Sequence, residues 1–272
     1  MNLPTVTEIQ RPTSAEQIRH WRDGYAWLAG GTWLFSEPQV KTDTLIDLHG
    51  LRWPALRATD EGLELAATCT IAELYAFAPP AAWKAGALIG ECCRSFLSSF
   101  KIWHEATIGG NIVMSLPAGP MISLTVALEG TYALWPRDGA SRDVPAVDFV
   151  TGNHANVLAP GELLRSIHLP AGALEKTFAF RRASLTHLGR SGVLLVGTRD
   201  PKSGETTLTV TAATARPVRL HFEGAPSAAK LRDAIDAAIP DELYFDDVHD
   251  SPAHRRRLTF YFAEQIREEL AA

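Results

Sequence analysis

The sequence contains few cysteines and no long apolar run, and these absences exclude several classes of protein. Three cysteines among 272 residues are too few for a disulfide framework, an iron–sulfur cluster or a structural zinc, and no HxxxH or CxxC spacing occurs. No apolar run approaches the roughly 20 residues that span a bilayer, and residues 1–11 show no signal-peptide pattern. We therefore expect a protein of the reducing cytoplasm, without a membrane span and without a metal site of its own.

The sequence also lacks an excess of basic residues. Its 26 lysines and arginines stand against 31 acidic residues, which gives a formal net charge of −5. No overall positive field is therefore available to hold a nucleic-acid backbone. The basic run Arg255-Arg256-Arg257 lies in a helical pattern beside Glu264 and Glu268, and we interpret it as a solvated helix face. We expect no nucleic-acid partner.

Several motifs of nucleotide and acyl chemistry are missing as well. The chain has neither the GxxxxGK[ST] loop of nucleotide hydrolases nor the GxGxxG turn of Rossmann folds. No Ser-His-Asp or Cys-His arrangement stands out, so we assign no catalytic residue.

Two Gly-Gly elements are present instead. They are Leu28-Ala29-Gly30-Gly31-Thr32 and Thr107-Ile108-Gly109-Gly110-Asn111. Adjacent glycines let a ligand approach the backbone closely, and consecutive amides in such turns form anion-binding nests. The pair predicts two loops that close on one phosphate-bearing ligand, whereas either element alone is more typical of a tight turn.

Hydrophobic periodicity predicts both helices and strands. Thr70 and Glu73 form a capping-box pattern at the start of a helix that extends to Ala78. A helix is predicted over residues 82–100, and its apolar stripes place Cys92 and Cys93 in the core. Further predicted helices cover residues 15–22, 121–128, 227–239 and 252–270. Predicted strands cover residues 25–29, 44–48, 62–66, 132–135, 163–169, 177–183, 192–198, 206–213 and 218–222.

The order of five short motifs resembles one protein family over almost the whole chain. The motifs are LAGGT at 28–32, LIDL at 45–48, ATCTIAEL at 67–74, TIGGN at 107–111 and PGELL at 160–164. In this order and spacing the chain resembles the FAD-binding medium subunit of the xanthine dehydrogenase / carbon monoxide dehydrogenase family of molybdenum hydroxylases.

The resemblance implies a fold, a function and partners. The fold is α+β, namely a PCMH-type FAD-binding fold of two α/β subdomains followed by a C-terminal α+β flavoprotein domain. We place the three regions at residues 1–54, 55–172 and 173–272. The implied function is that of an oxidoreductase subunit, whose FAD passes electrons from a partner's iron–sulfur clusters to an external acceptor. The partners are a large molybdopterin-binding subunit and a small subunit with 2Fe–2S clusters, in a heterotrimer or a dimer of heterotrimers.

The resemblance also implies the cofactor-binding residues. The first loop holds the FAD diphosphate through its backbone amides, and the second adds hydroxyl and amide side chains. Leu164 and Arg181 match family positions near the adenine end and the flavin; for Arg181, a solvent-facing strand residue is the alternative. The implied set is Leu28, Ala29, Gly30, Gly31, Thr32, Trp33, Leu34, Thr107, Gly109, Gly110, Asn111, Val113, Leu164 and Arg181.

The chain departs from the family pattern at four places. Trp33 and Pro120 stand where acidic residues are frequent, Trp103-His104 replaces an Arg-Asn pair, and Leu188-Gly189-Arg190 replaces an Asp-Ile-Ala segment. Each loss removes a polar contact worth about 0.5–3 kcal/mol. Two alternatives therefore stay open: a scaffold subunit that has lost FAD, and a stand-alone flavin oxidoreductase of the same fold.

Overall fold

The computed structural model describes residues 3–18, 20–136 and 140–272. Over these residues the strands are β1 (Glu8–Gln10), β2 (Tyr25–Leu28), β3 (Thr44–Asp47), β4 (Leu56–Thr59), β5 (Gly62–Ala66), β6 (Thr131–Trp135), β7 (Arg142–Pro145), β8 (Val150–Gly152), β9 (Ala155–Asn156), β10 (Leu163–Pro170), β11 (Thr177–Ala183), β12 (Val193–Arg199), β13 (Thr206–Thr211) and β14 (Val218–Phe222). The α-helices are α1 (Ile71–Ala76), α2 (Leu88–Ser95), α3 (Phe100–Trp103), α4 (Ile108–Val113), α5 (Pro120–Ala127), α6 (Ala146–Phe149), α7 (Ala171–Glu175), α8 (Ala228–Ala238) and α9 (Pro252–Ala271). Not one of these helices has the length and apolar character needed to cross a membrane. The mixture confirms the predicted α+β class.

The first sheet is parallel, with strand order β1-β3-β2. It packs through Trp21 and Trp27, whose rings lie 4.8 Å apart, against Leu163 of β10. The helix predicted over 15–22 is only a 3₁₀ turn at Ala15–Ile18. Its apolar residue Ile18 is buried in this small cluster, so tertiary packing rather than helical propensity holds the segment.

The second sheet is antiparallel, with order β4-β5-β10-β6-β7. Thr70 and Glu73 form the predicted capping box at α1, with the Thr70 amide 2.8 Å from the Glu73 carboxylate. The single helix predicted over residues 82–100 is wrong. A 3₁₀ turn, α2 and α3 share this stretch, because the chain leaves helical geometry at Phe96, which has ψ of 83°.

The third sheet is antiparallel, with order β11-β12-β13-β14, and all four of its strands were predicted. Side chains alternate between its two faces. One face, with Ala179, Leu195 and Val210, packs against α8 and α9. The opposite face, with Leu194 and Val196, joins the core of the second sheet. This sheet therefore lies between two helical layers.

Helix α5 connects the second and third sheets. Every one of its residues is buried, as predicted for residues 121–128, because α5 contacts α2 and α4 as well as β12 and β13. The Ser123 and Thr211 hydroxyls lie 2.6 Å apart between α5 and β13. Each of the three predicted regions contains one of the large sheets, and we retain the boundaries after residues 54 and 172 as a proposal.

The basic run in α9 is only partly a solvated face, so the prediction for Arg255 is wrong. Its side chain is 1% exposed and donates to the carbonyl oxygens of Gly192 and Ala212 and to the Asp247 carboxylate. Arg256 and Arg257 are exposed, as expected. The buried guanidinium links β12, β13, the turn at 247–250 and α9.

Five short strands, β1, β4, β7, β8 and β9, were not predicted. The longest have four residues, too few for period-two alternation to stand out. The polar residues 136–142 also predict a turn in the sequence; this stretch falls partly outside the described residues, and Arg142 itself begins β7.

Candidate functional site

The first Gly-Gly loop follows β2, which is held in place by its parallel pairing with β3. Gly31 has φ of +67°, a backbone conformation that favours glycine. A Cβ atom built on Gly31 lies 2.5 Å from the Phe35 ring, and the Phe35 amide donates to the Gly31 carbonyl oxygen at 2.8 Å. The Phe35 ring therefore packs over residue 31, where it leaves no room for a side chain.

The amides of the first loop are free of protein acceptors. In the described part of the chain, none of the backbone N–H groups of residues 30–34 donates a hydrogen bond. Consecutive free donors in a turn can form a concave site for an anion. The first loop thus has the donor set that a diphosphate requires.

The second Gly-Gly loop is different, because most of its donors are already paired. Thr107 caps α4 and accepts from the Gly110 amide at 3.0 Å, and the Gly109 amide donates to Ala67 at 2.9 Å. A Cβ atom on Gly109 meets the Ala67 Cβ atom at 2.5 Å, whereas one on Gly110 meets only Thr107 Oγ1, at 3.0 Å. Gly109 is therefore required for packing, and Gly110 is the position open to a ligand.

Asn111 and Val113 also have structural contacts. The Asn111 carbonyl oxygen accepts from the Met121 amide at 3.0 Å, which satisfies a donor at the start of α5. The Val113 carbonyl accepts from the Asn156 amide group at 2.9 Å. Among the described residues only the side-chain oxygen of Asn111 is engaged, which leaves its NH₂ group for a ligand.

The two loops touch each other. A Cβ atom on Gly30 lies 1.7 Å from the carbonyl oxygen of Glu105 and 3.2 Å from the Cα atom of Ala106. Only glycine permits this approach, since any side chain would overlap the backbone that leads into the second loop. The structure therefore places Gly30 of the first loop against the backbone that leads into the second loop, and the binding of one ligand by both loops stays a prediction.

A cleft of about 300 Å³ begins where the second loop ends. One side is formed by residues 116–118 and by Asn153 and His154 in the turn between β8 and β9. The C-terminal region supplies the other side, including Arg190, Ser191 and Arg255. The cleft lies between the regions that the second and third sheets define.

Two predicted site residues, Leu164 and Arg181, do not direct their side chains to the cleft. Leu164 is 1% exposed and packs in the core of the second sheet. Arg181 points to α9, where it donates to Gln265 at 3.0 Å and to Glu269 at 2.6 Å. This arrangement agrees with the alternative of a surface strand residue for Arg181.

Arg182 is the residue that sequence reasoning missed. It lies on the opposite face of β11 from Arg181, the face shared with Phe178 and Phe180. Its guanidinium donates to Ser191 Oγ at 2.7 Å and to the Gly189 carbonyl, and burial lowers its pKa. Strand alternation from Phe180 could have identified the inward arginine.

The positions that depart from the family pattern have local roles here. Pro120 is the first residue of α5, a position where proline is favourable. The Trp103 indole donates to the Phe96 carbonyl at 3.0 Å and meets Tyr75 edge to face. Arg190 lines the cleft. These substitutions leave the two loops in place.

The three cysteines are core residues, as predicted for Cys92 and Cys93. All are fully buried, and burial raises the pKa of Cys69 and of Cys93 to about 12. They are therefore unreactive thiols at neutral pH. The described residues contain no group of histidine, cysteine or acidic side chains that could hold a metal ion.

Comparison with known proteins identifies relatives that agree with one another. Residues 6–172 match the family described as the FAD binding domain in molybdopterin dehydrogenase. Xanthine dehydrogenase of Oryza sativa subsp. japonica is 26% identical over 173 residues, 59% of this chain and 13% of that protein. The carbon monoxide dehydrogenase medium chain of Afipia carboxidovorans is 33% identical over 82 residues, 30% of this chain and 28% of that protein. The alignments thus span only a small part of these relatives.

Solved structures share the fold over nearly the full length. Quinoline 2-oxidoreductase from Pseudomonas putida 86 superposes with a TM-score of 0.80 at 17% identity, covering 100% of this chain and 98% of that chain. Carbon monoxide dehydrogenase from Hydrogenophaga pseudoflava gives 0.81 at 19% identity, covering 98% and 97%. FAD is the cofactor for which the matched family is described, and the match covers more than half of the sequence. The chain belongs to the family of FAD-binding domains of molybdopterin dehydrogenases.

Proposed function

We propose that this chain is the FAD-carrying electron-transfer subunit of a molybdenum-containing oxidoreductase. The observation that carries the proposal is the run of free amides at residues 30–34, held against the backbone at Glu105 by the glycine contact at Gly30. A diphosphate supplies the acceptors that these donors lack. The family description names FAD as the ligand.

The residues present fit FAD in both of its parts. The first loop would hold the diphosphate, with Thr107, Gly110 and the Asn111 NH₂ group beside it. The cleft that follows the second loop would take the isoalloxazine ring, with Arg182 fixing the Gly189–Ser191 wall. FAD, when bound, supplies the redox chemistry, and the protein supplies binding, orientation and electrostatics.

The proposal extends to partners that supply and accept the electrons. One relative is by name the medium chain of a carbon monoxide dehydrogenase, which supports a large molybdopterin-binding subunit and a small 2Fe–2S subunit, in a heterotrimer or a dimer of heterotrimers. Its three cysteines are buried and protonated, and the part of the chain that the structure describes contains no group of side chains that could hold a metal ion. We propose that iron–sulfur and molybdenum centres therefore reside on the partners, in the cytoplasm.

Mild co-purification of the full chain with its associated subunits tests the proposal. We expect stoichiometric flavin absorption, together with molybdenum and iron in the co-purifying material. An assembled complex that lacks flavin and takes up none when FAD is added would instead identify a scaffold. Turnover by the chain alone with NAD(P)H and a small substrate would identify a stand-alone oxidoreductase.

A further inference from the structure

Trp33 stands between the free amides and the cleft. Its indole remains 36% exposed, and its ring centroid lies 5.9 Å from that of His154 with the planes tilted by 45°. This spacing is typical of interacting aromatic pairs. His154 is itself one of the residues that line the cleft. The pair therefore connects the two parts of the proposed site.

The position of His154 is fixed by its backbone. It occupies the turn between β8 and β9 with φ of +55°, which is unusual for a residue with a side chain. Its amide donates to the carbonyl oxygen of Ser115 at 3.0 Å, and Ser115 also accepts from Asn156 at 3.0 Å. The imidazole thus supports the indole from a rigid hairpin.

The Trp33 amide belongs to the run of free donors at residues 30–34, and its side chain reaches His154, a residue that borders the cleft. We propose that the Trp33 indole, supported by His154, is an aromatic wall that contacts the isoalloxazine ring of bound FAD. This inference rests on the proposed function and adds a side-chain role to a position predicted to act through its backbone.

The chemistry of an indole differs from that of the acidic residue frequent at this position. A carboxylate offers a polar contact, whereas indole offers an apolar π-face on which a planar ring stacks with a gain beyond area burial. An electron-rich indole in contact with flavin also quenches flavin emission. The aromatic wall therefore has an optical signature that a purely structural tryptophan lacks.

The test compares FAD affinity and bound-flavin emission in the full chain with its co-purified subunits. For Trp33→Ala we expect FAD affinity to fall about three- to tenfold and the emission of the bound flavin to rise. Trp33→Phe restores stacking but not quenching, so affinity recovers while emission stays high. His154→Ala changes both readouts in the direction of Trp33→Ala, by less.

Trp53→Phe is the matched control for loss of an indole. Trp53 packs against Trp135 and Arg165, so both readouts should stay at their wild-type values. Wild-type protein that binds no FAD overturns the inference and the proposed function together. Stoichiometric FAD in the wild type, with unchanged affinity and emission in Trp33→Ala, overturns this inference alone.

Discussion

The backbone amide of Ala212 donates a hydrogen bond to the carbonyl oxygen of Pro117 across 2.9 Å. Pro117 follows the second Gly-Gly loop, and Ala212 follows β13 in a left-handed conformation with φ of 61°. The Ala212 carbonyl in turn accepts from Arg255. The wall of the cleft is therefore joined through Ala212 to the segment that follows the second Gly-Gly loop.

Gly110 is the position at which charge in the second loop is best tested. We expect Gly110→Asp to weaken FAD binding by tenfold or more, because it places a carboxylate where the diphosphate would lie. Gly110→Asn is the matched neutral control and should retain FAD. An aspartate in the first turn of a helix is itself favourable, so loss of α4 would not explain the result. Equal FAD affinity in the two variants, measured by titration, would contradict the loop assignment.

Gly109→Asp is a poorer experiment, although residue 109 belongs to the same predicted site. Any side chain there overlaps Ala67, whose Cβ atom is only 2.5 Å away. Loss of flavin in that variant would report a packing defect as readily as a loss of anion binding.

The two adjacent arginines of β11 should behave differently. Arg182→Gln removes donors from Ser191 and Gly189 and should cost about 1.5–3 kcal/mol of unfolding free energy and weaken FAD binding. Arg181→Gln breaks a partly exposed pair with Glu269 and should cost about 0–1 kcal/mol with FAD affinity unchanged. Denaturant titration and FAD titration of both variants measure these effects. A larger loss of FAD affinity in Arg181→Gln would reverse the assignment.

Arg255 should be among the most sensitive residues of the C-terminal region. Arg255→Met leaves buried carbonyls unpaired and removes the partner of Asp247, so we expect a loss of about 3–5 kcal/mol. Arg256→Met is the adjacent control, since Arg256 makes exposed pairs with Asp236 and Asp241 worth about 0–1 kcal/mol. Urea unfolding distinguishes the two. Comparable losses would show that the buried guanidinium is not the connecting group.

Glu162 should make stability depend on pH. Arg142, at 2.7 Å, holds the pKa of the Glu162 carboxyl below its ordinary value of 4.5. A depressed folded-state pKa contributes stability above the unfolded pKa and loses it as pH falls through the folded pKa. The stability difference between wild type and Glu162→Gln should therefore be present at pH 7 and shrink below pH 4.5. A difference that stays constant across this range, in unfolding experiments, would contradict the assignment.

Sequence reasoning was most successful where local chemistry determines structure. The capping box at Thr70, the all-round apolar α5 and the four strands of the third sheet depend on short patterns and were predicted. The contact of Gly30 with Glu105 joins residues 75 positions apart, and the burial of Arg255 depends on carbonyl groups of residues that flank β12 and β13. No local pattern contains such information, which is why Arg255 was assigned to solvent.

The sequence predicts a site made of two loops, but it does not predict which of the two loops has free amides. The two Gly-Gly elements look alike in sequence. The amides of the first are free, whereas amides of the second donate hydrogen bonds to Ala67 and Thr107. Arg181 and Arg182 are likewise chemically identical. They differ because their side chains extend from opposite faces of β11. These distinctions depend on which partner occupies each donor in the folded chain.

Helix α5 has a consequence for how this chain can be divided. Helix α5 contacts α2 and α4 on one side and β12 and β13 on the other. One hydrophobic cluster includes Leu128, Leu194 and Ala212. The family match ends at residue 172, before the strands that cover α5. We therefore expect a fragment truncated at that boundary to expose the face of α5 that β12 and β13 cover in the full chain, and to lose solubility.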